Sequence, residues 1–365
     1  MDEQLTDSST VNQQLTKSYG RSNCTIKSTE RSYCLIVASY GMSKKVERER
    51  SLQNQKETEV NRSMIILAWT PFFSSDLAES MYEVGLSDCE FRCIATNDRR
   101  SLSKARAVLF HIRDMKSTDL PLSRSQENLF TFYLHESPPH TGDILHYIPS
   151  DYFNLTMTYR SDSDVQAVYG LMRPINNFTS SEEMWRWEEV ERIAENKTKS
   201  ALLFVSNCVT ESKRELYVRE LARYIEVSEF GQCSKRECNA QCAEREIAQH
   251  HFYLAFENSV CRDYVTEKAF MRMEKIIVPV VLKRSIASSL LPNGSFIAAD
   301  DFDSPASLAA YMQHLETNKT EYLKNKGEER NKKVPSPLSA TSSPLVQNPH
   351  LQHIKDTYPS NLAPV

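Results

Sequence analysis

An acidic residue, Glu267, and a basic residue, Lys268, are adjacent in the stretch HFYLAFENSVCRDYVTEKAF, residues 251–270. An apolar strand is predicted to run to Phe256, and a polar turn leads to Thr266, whose hydroxyl is a predicted helix cap. Glu267 and Lys268 then fall in the first helical turn, beside free backbone N–H groups and the positive end of the helix dipole. Such a position favours binding of an anion such as phosphate. The alternative is an ordinary helix cap with an exposed ion pair.

A second polar group follows the apolar run ALLFV. Ser206 and Asn207 come directly after this run, and Arg214 stands at the start of the next predicted helix. A guanidinium can grip a diphosphate with two parallel hydrogen bonds, and the serine and asparagine add neutral donors. The alternative is a solvated helical arginine. The chain has eight glycines and no Walker or dinucleotide glycine fingerprint, so phosphate binding would depend on helix ends and cations.

A carboxylate that could accept a proton follows a third apolar run, in FYLHESPPHT. Glu136 follows the predicted strand and precedes two prolines that restrict the backbone. The side chains of Tyr133 and Leu134 are expected to lie beside it. Partial burial at the rim of a cleft would suit a general base. A solvated loop glutamate is the alternative, and His135 and His140 are rival bases.

The cysteines raise the question of a metal site. CSKRECNAQC, residues 233–242, holds three of the nine cysteines and lies close to His250 and His251. Its spacings do not reproduce a paired Cys-x-x-Cys frame, so local disulfides are favoured over zinc and no metal site is predicted. The odd number of cysteines leaves one thiol over.

Several features bear on the cellular compartment. The cysteine content and seven Asn-x-Ser/Thr sequons together favour the secretory pathway. The net charge of −4 gives no basic field for nucleic acid or an anionic membrane surface. The longest amino-terminal apolar run, residues 33–40, is too short to anchor the chain in a membrane. The candidate glycosylation sites are Asn23, Asn61, Asn154, Asn177, Asn196, Asn293 and Asn318.

The elements that must position these residues alternate between strands and helices. Apolar runs begin at Met64, at Ala105 and at Leu129, and a second series begins near residue 199, which predicts parallel sheets with crossover helices. Ser304 and Pro305 predict the start of a further helix. We therefore expect an α/β protein with two Rossmann-like domains facing a central cleft, where parallel sheets bind ligands. The predicted segments are a disordered tail or stem (1–62), a first Rossmann-like domain (63–175), a second Rossmann-like domain (176–325) and a disordered proline-rich tail (326–365).

Together these blocks resemble the α-1,3-fucosyltransferases of glycosyltransferase family 10. FNLTMTYRSDSDVQAVYG (residues 153–170), FVSNC and FYLAFENSVCRDYVTEKAF are similar to motifs of that family, and the similar blocks run in order over residues 64–323. A glycine typical of the family after VPVVL is replaced by Lys283. The resemblance implies the GT-B fold, and it implies inverting transfer of L-fucose from GDP-fucose to the 3-hydroxyl of GlcNAc or glucose in a glycan.

The resemblance also assigns roles: domain 63–175 is implied to be the acceptor-side domain and domain 176–325 the GDP-fucose-binding domain. Glu136 is implied as the catalytic base. The implied donor-binding residues are Tyr159, Ser206, Asn207, Arg214, Asn258, Tyr264, Val265, Thr266, Glu267 and Lys268. The resemblance implies that no cofactor is required for transfer. It does not decide whether Mn²⁺ stimulates the reaction. The implied acceptor is a glycan on a glycoprotein or glycolipid in the Golgi lumen or at the Golgi membrane, and the alternative is a catalytically silent relative that binds glycan or associates with an active transferase.

Overall fold

The chain forms two compact units, each built on a parallel sheet. The computed structural model describes residues 64–83, 86, 93–172, 184–324 and 334–335. Among these residues the first unit ends at Val168 and the second begins at Tyr169. The predicted tail 1–62 and the sequons at Asn23, Asn61 and Asn177 lie outside the described residues, as does the predicted tail 326–365 apart from its residues 334–335.

The first unit contains a six-stranded sheet in the order β2-β1-β3-β4-β5-β6, in which all neighbouring strands run parallel. Its regular elements are β1 (Met64–Ala68), α1 (Leu77–Glu83), β2 (Cys93–Thr96), β3 (Ala105–His111), β4 (Leu129–Leu134), β5 (Leu155–Thr158) and β6 (Val165–Gln166). Short 3₁₀ helices span Arg99–Lys104, Ile112–Asp114, Pro138–His140 and Ile144–His146. The strand order reverses between β1 and β3.

Both faces of this first sheet are buried, which is why its central strands read as continuous apolar runs. Alternate residues of β1 and β3 point to opposite faces, so Ile66 and Ala107 belong to one core cluster. Leu67 and Val108 belong to the cluster on the other face.

The second unit contains a five-stranded parallel sheet in the order β12-β11-β10-β8-β9. Its strands are β8 (Lys199–Phe204), β9 (Val227–Phe230), β10 (His250–Leu254), β11 (Val278–Val281) and β12 (Ile297–Ala298), and β7 (Met184–Trp185) pairs antiparallel with β13 (Val334–Pro335). Its helices are α2 (Trp187–Glu195), α3 (Arg214–Leu221), α4 (Ala240–Gln249), α5 (Glu267–Met273), α6 (Arg284–Ala287), α7 (Pro305–Thr317) and α8 (Lys319–Lys324), with a 3₁₀ turn at Ala299–Asp301.

Helices cover both faces of the second sheet. Helices α3 and α7 bury Leu221 and Leu308 against one face, and helices α4 and α5 bury Ile247 and Phe270 against the other. After β8 the chain first adds β9 on one side and then β10 on the other. This places the reversal of strand order between β8 and β10, where open α/β sheets bind their ligands.

The predicted α/β class with two Rossmann-like units is confirmed. The expected strands form at all three apolar runs of the first unit, and Ser304 caps α7 through a reciprocal hydrogen-bonded pair with Ser307, with Pro305 at the first helical position. Strand β10 ends at Leu254, two residues earlier than the predicted end at Phe256.

Candidate functional site

Arg214 joins the carboxyl ends of the two strands at the point where the strand order reverses. It is the first residue of α3 and is 2% exposed. Its Nη1 donates to the carbonyl oxygen of Phe256 over 2.7 Å, and its Nη2 donates to that of Asn207 over 3.2 Å. The segment after β8 and the segment after β10 are thereby held by one buried cation.

The loop between β8 and α3 is fastened to the same place by Ser212. Its backbone N–H donates to the carbonyl oxygen of Asn258 over 3.0 Å, and its hydroxyl donates to that of Glu257 over 2.6 Å. Lys213 then adopts a left-handed conformation (φ +52°) that turns the chain into α3. Residues 256–258 therefore receive hydrogen bonds from residues 212 and 214, which fixes the floor of the site.

The predicted helix start at Thr266 is confirmed. Its side-chain oxygen accepts from the backbone N–H of Lys268, and α5 begins at Glu267. The Thr266 backbone N–H donates to Glu257 Oε1 over 2.8 Å, and its hydroxyl donates to Glu257 Oε2 over 3.0 Å. The carboxylate of Glu257 thus fixes the position of Thr266, the residue that caps α5.

Lys268 lies between two carboxylates. Its Nζ is 3.2 Å from Glu257 Oε2 and 3.0 Å from Glu267 Oε1, and it also donates to Thr266 Oγ1 over 3.0 Å. The side chains of Lys268, Glu257 and Glu267 are 9%, 10% and 12% exposed. The exposed ion pair that the sequence offered as the alternative is therefore a buried three-residue cluster.

Burial and charge act on this cluster in opposite directions. Burial lowers the pKa of Lys268, but Glu257 and Glu267 outweigh it, so the pKa lies above its ordinary value. Burial raises the pKa of Glu257 and the neighbouring Glu267 adds to that rise, although Lys268 and the Thr266 donors oppose it. Burial lowers the pKa of Arg214, with Glu257 acting against it. Lys268 remains a cation at neutral pH.

Two buried polar atoms beside the cluster lack a hydrogen-bond partner within the part of the chain that the structure describes. They are the Nε of Arg214 and the Oδ1 of Asn258. Buried polar atoms are almost always satisfied in folded proteins, and exceptions call for a water, an ion or a ligand. A donor and an acceptor therefore remain available where the strand order reverses.

A pocket opens beside Glu257 at the carboxyl ends of β10 and β11. It is a small, partly open pocket with a cavity volume of about 20 Å³, and its polar lining includes Glu257, Ser259, Tyr264 and Lys283. Apolar residues supply the rest of its wall: Ala255, Val260, Val265, Val281, Leu282, Ile286 and Ala287. A few polar groups in an apolar wall are the kind of lining that small-molecule sites use, but this volume has room for only about one water molecule.

Two motifs that are distant in the sequence meet at α5. Gly170 packs on the ring of Phe270, where a Cβ on residue 170 would come within 2.5 Å of the ring. Tyr169 meets the buried Tyr264 edge to face, with ring centroids 6.3 Å apart. The VYG and DYVTEKAF segments therefore support each other, and residue 170 must be glycine because the ring occupies the space of a side chain.

In the first unit, Glu136 follows β4 directly, as predicted. It is half-buried, and its Oε1 lies 3.7 Å from Nη1 of Arg113, whose guanidinium sits 5.3 Å from the centre of the Phe73 ring. The rival His135 is 7% exposed and packs edge to face on Tyr133. The carboxylate is thus more accessible than the neighbouring imidazole.

A His–Asp pair lies at the end of β3 in the same unit, with His111 buried and Asp114 half-buried. His111 Nδ1 is 2.6 Å from Asp114 Oδ2, and the Phe73 backbone N–H donates to the same oxygen over 2.7 Å. Burial raises the pKa of Asp114, but the His111 hydrogen bond, the Phe73 N–H and nearby charges hold it below its ordinary value. This pair orders the segment that carries Arg113.

The other predicted site residues are distributed over both units. In the first unit Tyr159 is 3% exposed, just after β5. In the second unit Ser206 is half-buried, Asn207 exposed and Val265 buried. The structure brings together Arg214, Asn258, Tyr264, Val265, Thr266, Glu267 and Lys268 around the ends of β10 and α5. Glu257, to which the sequence gave no role, is the residue that links them, and its place directly after an apolar strand was the available signal.

Four of the sequons lie in described segments, with different surroundings. Asn196 and Asn293 are exposed. Asn154 is also exposed, but its Oδ1 accepts from the backbone N–H of Phe130. The half-buried Asn318 ends α7, and its Oδ1 accepts from the backbone N–H of Glu321 over 3.1 Å.

The cysteines of residues 233–242 are in disulfides. Cys238 pairs with Cys242, as the local pairing predicts, whereas Cys233 pairs with Cys208 across 25 residues. His250 and His251 point to backbone carbonyls of Glu246 and Lys199 instead of to these sulfurs. Within the described segments no group of three or more His, Cys, Asp or Glu residues is arranged to hold a metal ion. No helix in these segments is long and apolar enough to cross a membrane.

Comparison with known proteins places both units in one family. The profile described as "Fucosyltransferase, N-terminal" matches residues 61–170, and that described as "Glycosyltransferase family 10 (fucosyltransferase) C-term" matches residues 194–358. Alpha-(1,3)-fucosyltransferase C of Drosophila melanogaster is 33% identical over 291 residues, which cover 72% of this chain and 68% of that protein. Human 4-galactosyl-N-acetylglucosaminide 3-alpha-L-fucosyltransferase FUT6 is 35% identical over 271 residues, covering 71% of each chain.

A solved structure shares the fold. The crystal structure of an alpha1,3-fucosyltransferase aligns with a TM-score of 0.50 at 14% identity, covering 80% of this chain and 84% of that one. At this identity the likeness concerns the fold alone, and it agrees with the GT-B architecture expected from the sequence.

Proposed function

This chain belongs to glycosyltransferase family 10, the fucosyltransferases, and we propose that it transfers L-fucose from GDP-fucose to the 3-hydroxyl of GlcNAc, or glucose, in a glycan. Family membership makes it a glycosyltransferase. The names of the Drosophila and human relatives support the α-1,3 linkage. The acceptor is a glycan on a glycoprotein or a glycolipid.

The observation that carries the proposal is the pair of buried cations at the edge of the second sheet. Arg214 and Lys268 are both less than one-tenth exposed. The Nε of Arg214 has no hydrogen-bond acceptor within the described part of the chain, which favours a bound ligand that supplies one. A diphosphate fits this site because it offers several anionic oxygens to a guanidinium, an ammonium and a helix start. Unlike a magnesium-dependent transferase, such a site neutralises the leaving group with protein cations. On this proposal no metal cofactor is needed, and any stimulation by Mn²⁺ is secondary.

The remaining donor contacts follow from the same arrangement. The buried Oδ1 of Asn258 can accept a hydrogen bond from a hydroxyl or amine of GDP-fucose. The carboxylate of Glu267, 12% exposed, is proposed to accept hydrogen bonds from the fucose hydroxyls. Tyr264 and Val265 line the pocket beside Glu257. Ser206, Asn207 and Thr266 complete the proposed donor set in the second unit. Tyr159 of the first unit is included in the proposal on the family resemblance alone.

Glu136 is the proposed catalytic base. In this reaction the base takes the proton of the acceptor 3-hydroxyl, the oxygen attacks the anomeric carbon of fucose with inversion, and GDP leaves with its charge held by the cations. Its accessible carboxylate supports this role over the buried imidazole of His135. The guanidinium of Arg113 lies 3.7 Å from this carboxylate, within ion-pairing distance.

The proposed compartment is the Golgi lumen or the lumenal face of the Golgi membrane. The two disulfides of the second unit and the exposed sequons at Asn196 and Asn293 support an oxidising, glycosylating environment. Cytosolic proteins rarely keep structural disulfides.

The test is incubation of protein secreted from cultured cells with GDP-fucose and a panel of defined glycans. The panel contains N-glycan cores, LacNAc and LacdiNAc, and the products are analysed by mass and linkage. We expect a fucose on the 3-hydroxyl of GlcNAc in at least one member of the panel. Binding of GDP-fucose without transfer to any acceptor would instead support a catalytically silent relative that binds glycan or assists another transferase.

A further inference from the structure

The charges around Lys268 are balanced before any donor arrives. Its Nζ contacts the carboxylates of Glu257 and Glu267 at 3.2 and 3.0 Å, and the buried Arg214 supplies the second cation of the cluster. With all four groups ionised, two positive and two negative charges cancel. A donor diphosphate adds two negative charges to a site that is largely shielded from water.

Relief of this repulsion has to come from one of the two carboxylates. Glu257 is the more enclosed residue, 8% exposed, and it faces charged or titratable groups on every side. Lys268 and Glu267 approach it from α5, Arg214 from α3, and Tyr264 and Lys283 line the adjoining pocket. If a phosphate oxygen pairs with Lys268 Nζ, that ammonium no longer pairs with Glu257 Oε2. Glu257 then lies beside an anion instead of a cation.

A protonated Glu257 would fit the hydrogen bonds already present. Its Oε1 can continue to accept from the Thr266 backbone N–H, which lies 2.8 Å away. The protonated Oε2 can still accept from the Thr266 hydroxyl, 3.0 Å away, through a lone pair while its own proton is donated to a phosphate oxygen. Burial already raises the pKa of Glu257 in the absence of a donor, which reduces the cost of this step.

We propose that Glu257 takes up a proton from solvent when the diphosphate of the sugar donor binds at Lys268, so that the donor binds more tightly as the pH falls. The inference rests on the proposed GDP-fucose site. No covalent bond changes, and the proton comes from water. Glu257 is thus a positioning residue that couples donor binding to protonation, and it holds Thr266 and Lys268 in place when the site is empty.

The experiment is titration calorimetry of GDP-fucose into the whole secreted protein, without acceptor, in two buffers of different ionisation enthalpy. GDP-fucose is the right probe because its diphosphate is esterified at both ends and has no group that titrates near neutrality, whereas free GDP does. We expect uptake of up to about one proton per donor bound, with the dissociation constant rising by up to about tenfold per pH unit between about pH 6 and about pH 8.

The variant Glu257→Gln keeps the shape and the acceptor oxygen but cannot take up a proton. We expect it to bind GDP-fucose at about pH 8 at least as tightly as the native protein, without proton uptake and with a flat pH profile. A merely structural role for Glu257 predicts the reverse, namely weaker binding with an unchanged pH slope. Glu274→Gln is the matched control, since Glu274 is a buried carboxyl of the same unit whose pKa is raised to about 8 outside the cluster. It should leave proton uptake on donor binding unchanged.

The outcomes separate this inference from the proposed function. If GDP-fucose binds the native protein without proton uptake, Glu257 does not couple binding to protonation, but the proposed donor site is still supported. This result is obtained with the native protein and does not depend on whether a variant folds. Undiminished uptake in Glu257→Gln also overturns the inference. If GDP-fucose does not bind at all, the proposed function fails first.

Discussion

The guanidinium of Arg214 donates to the carbonyl oxygen of Phe256 over 2.7 Å and so ties the start of α3 to the segment that follows β10. The two residues are 42 positions apart, and the contact crosses the point where the strand order of the second sheet reverses. A side chain for which the sequence offered a phosphate ligand or a solvated helical arginine is therefore also a structural brace.

Arg214→Lys tests both roles of this residue. A lysine keeps the charge but cannot bridge two carbonyls with the same fork, and one buried acceptor loses its partner. We expect a loss of about 1–3 kcal/mol in the free energy of unfolding and weaker GDP-fucose binding, measured by denaturant titration and calorimetry. Arg223→Lys, at an exposed helical pair with Glu220, is the control and should change neither. Unchanged stability in Arg214→Lys would contradict the bracing role.

Glu136→Gln is expected to stop transfer while donor binding persists. The amide cannot accept the acceptor proton, and loss of a general base typically lowers kcat by about 10²- to 10⁴-fold. Steady-state kinetics with GDP-fucose and the best acceptor measure the rate, and calorimetry measures donor binding. Glu127→Gln, an exposed carboxylate of the same unit, should retain activity. Normal turnover in Glu136→Gln would remove Glu136 from the base role.

The stability of the second unit should fall as the pH rises towards 8, because of Glu274. Burial raises its pKa to about 8, although Lys275 and Arg272 oppose the rise. The folded-state pKa lies above the unfolded value, so the folded state favours the protonated carboxyl. That stabilisation is complete below the unfolded pKa and is lost as the pH rises through the folded pKa. Glu274→Gln should therefore reduce the drop in Tm between about pH 6 and about pH 8, and an unaltered drop would contradict the assignment.

The two disulfides of the second unit should contribute unequally to stability. Cys208–Cys233 closes a loop of 25 residues and Cys238–Cys242 one of 4. Loop entropy assigns them about 3.5 and about 2 kcal/mol. The double variant C208A/C233A should therefore lower the denaturation midpoint more than C238A/C242A. It should also weaken GDP-fucose binding, because Cys208 follows Asn207, which accepts from Arg214. Equal losses of stability in the two variants would argue against the entropic reading.

Lys283 should add an ionic contribution to donor binding. It is exposed, follows β11 directly and lines the pocket that also includes Glu257. We expect Lys283→Ala to raise the dissociation constant for GDP-fucose by about two- to fivefold, with the difference shrinking in about 0.5 M salt. The comparison variant is Lys319→Ala, whose ammonium pairs with Glu195 on a different surface. A salt-independent effect at Lys283 would point to shape instead of charge.

The sequence by itself determined the class of fold and the local structure of the motifs. Continuous apolar runs such as ARAVLFH become buried parallel strands, and Thr266 and Ser304 begin helices because their oxygens satisfy free backbone N–H groups. The strands β2, β5, β6, β9 and β12 were not predicted. They have two to four residues each, too few for a periodic pattern, and they form because neighbouring strands offer hydrogen bonds.

The tertiary structure alone decided which of the motif residues act together. From the sequence alone Glu267 and Lys268 are compatible with an exposed ion pair. In the structure the turn after β10 brings Glu257, ten and eleven positions earlier in the chain, into contact with Lys268 and next to Glu267. The packing of Gly170 on Phe270 joins segments 100 residues apart. Residue types fix what each group can donate or accept, but burial and the distances between charges depend on long-range packing, and these determine which groups stay ionised.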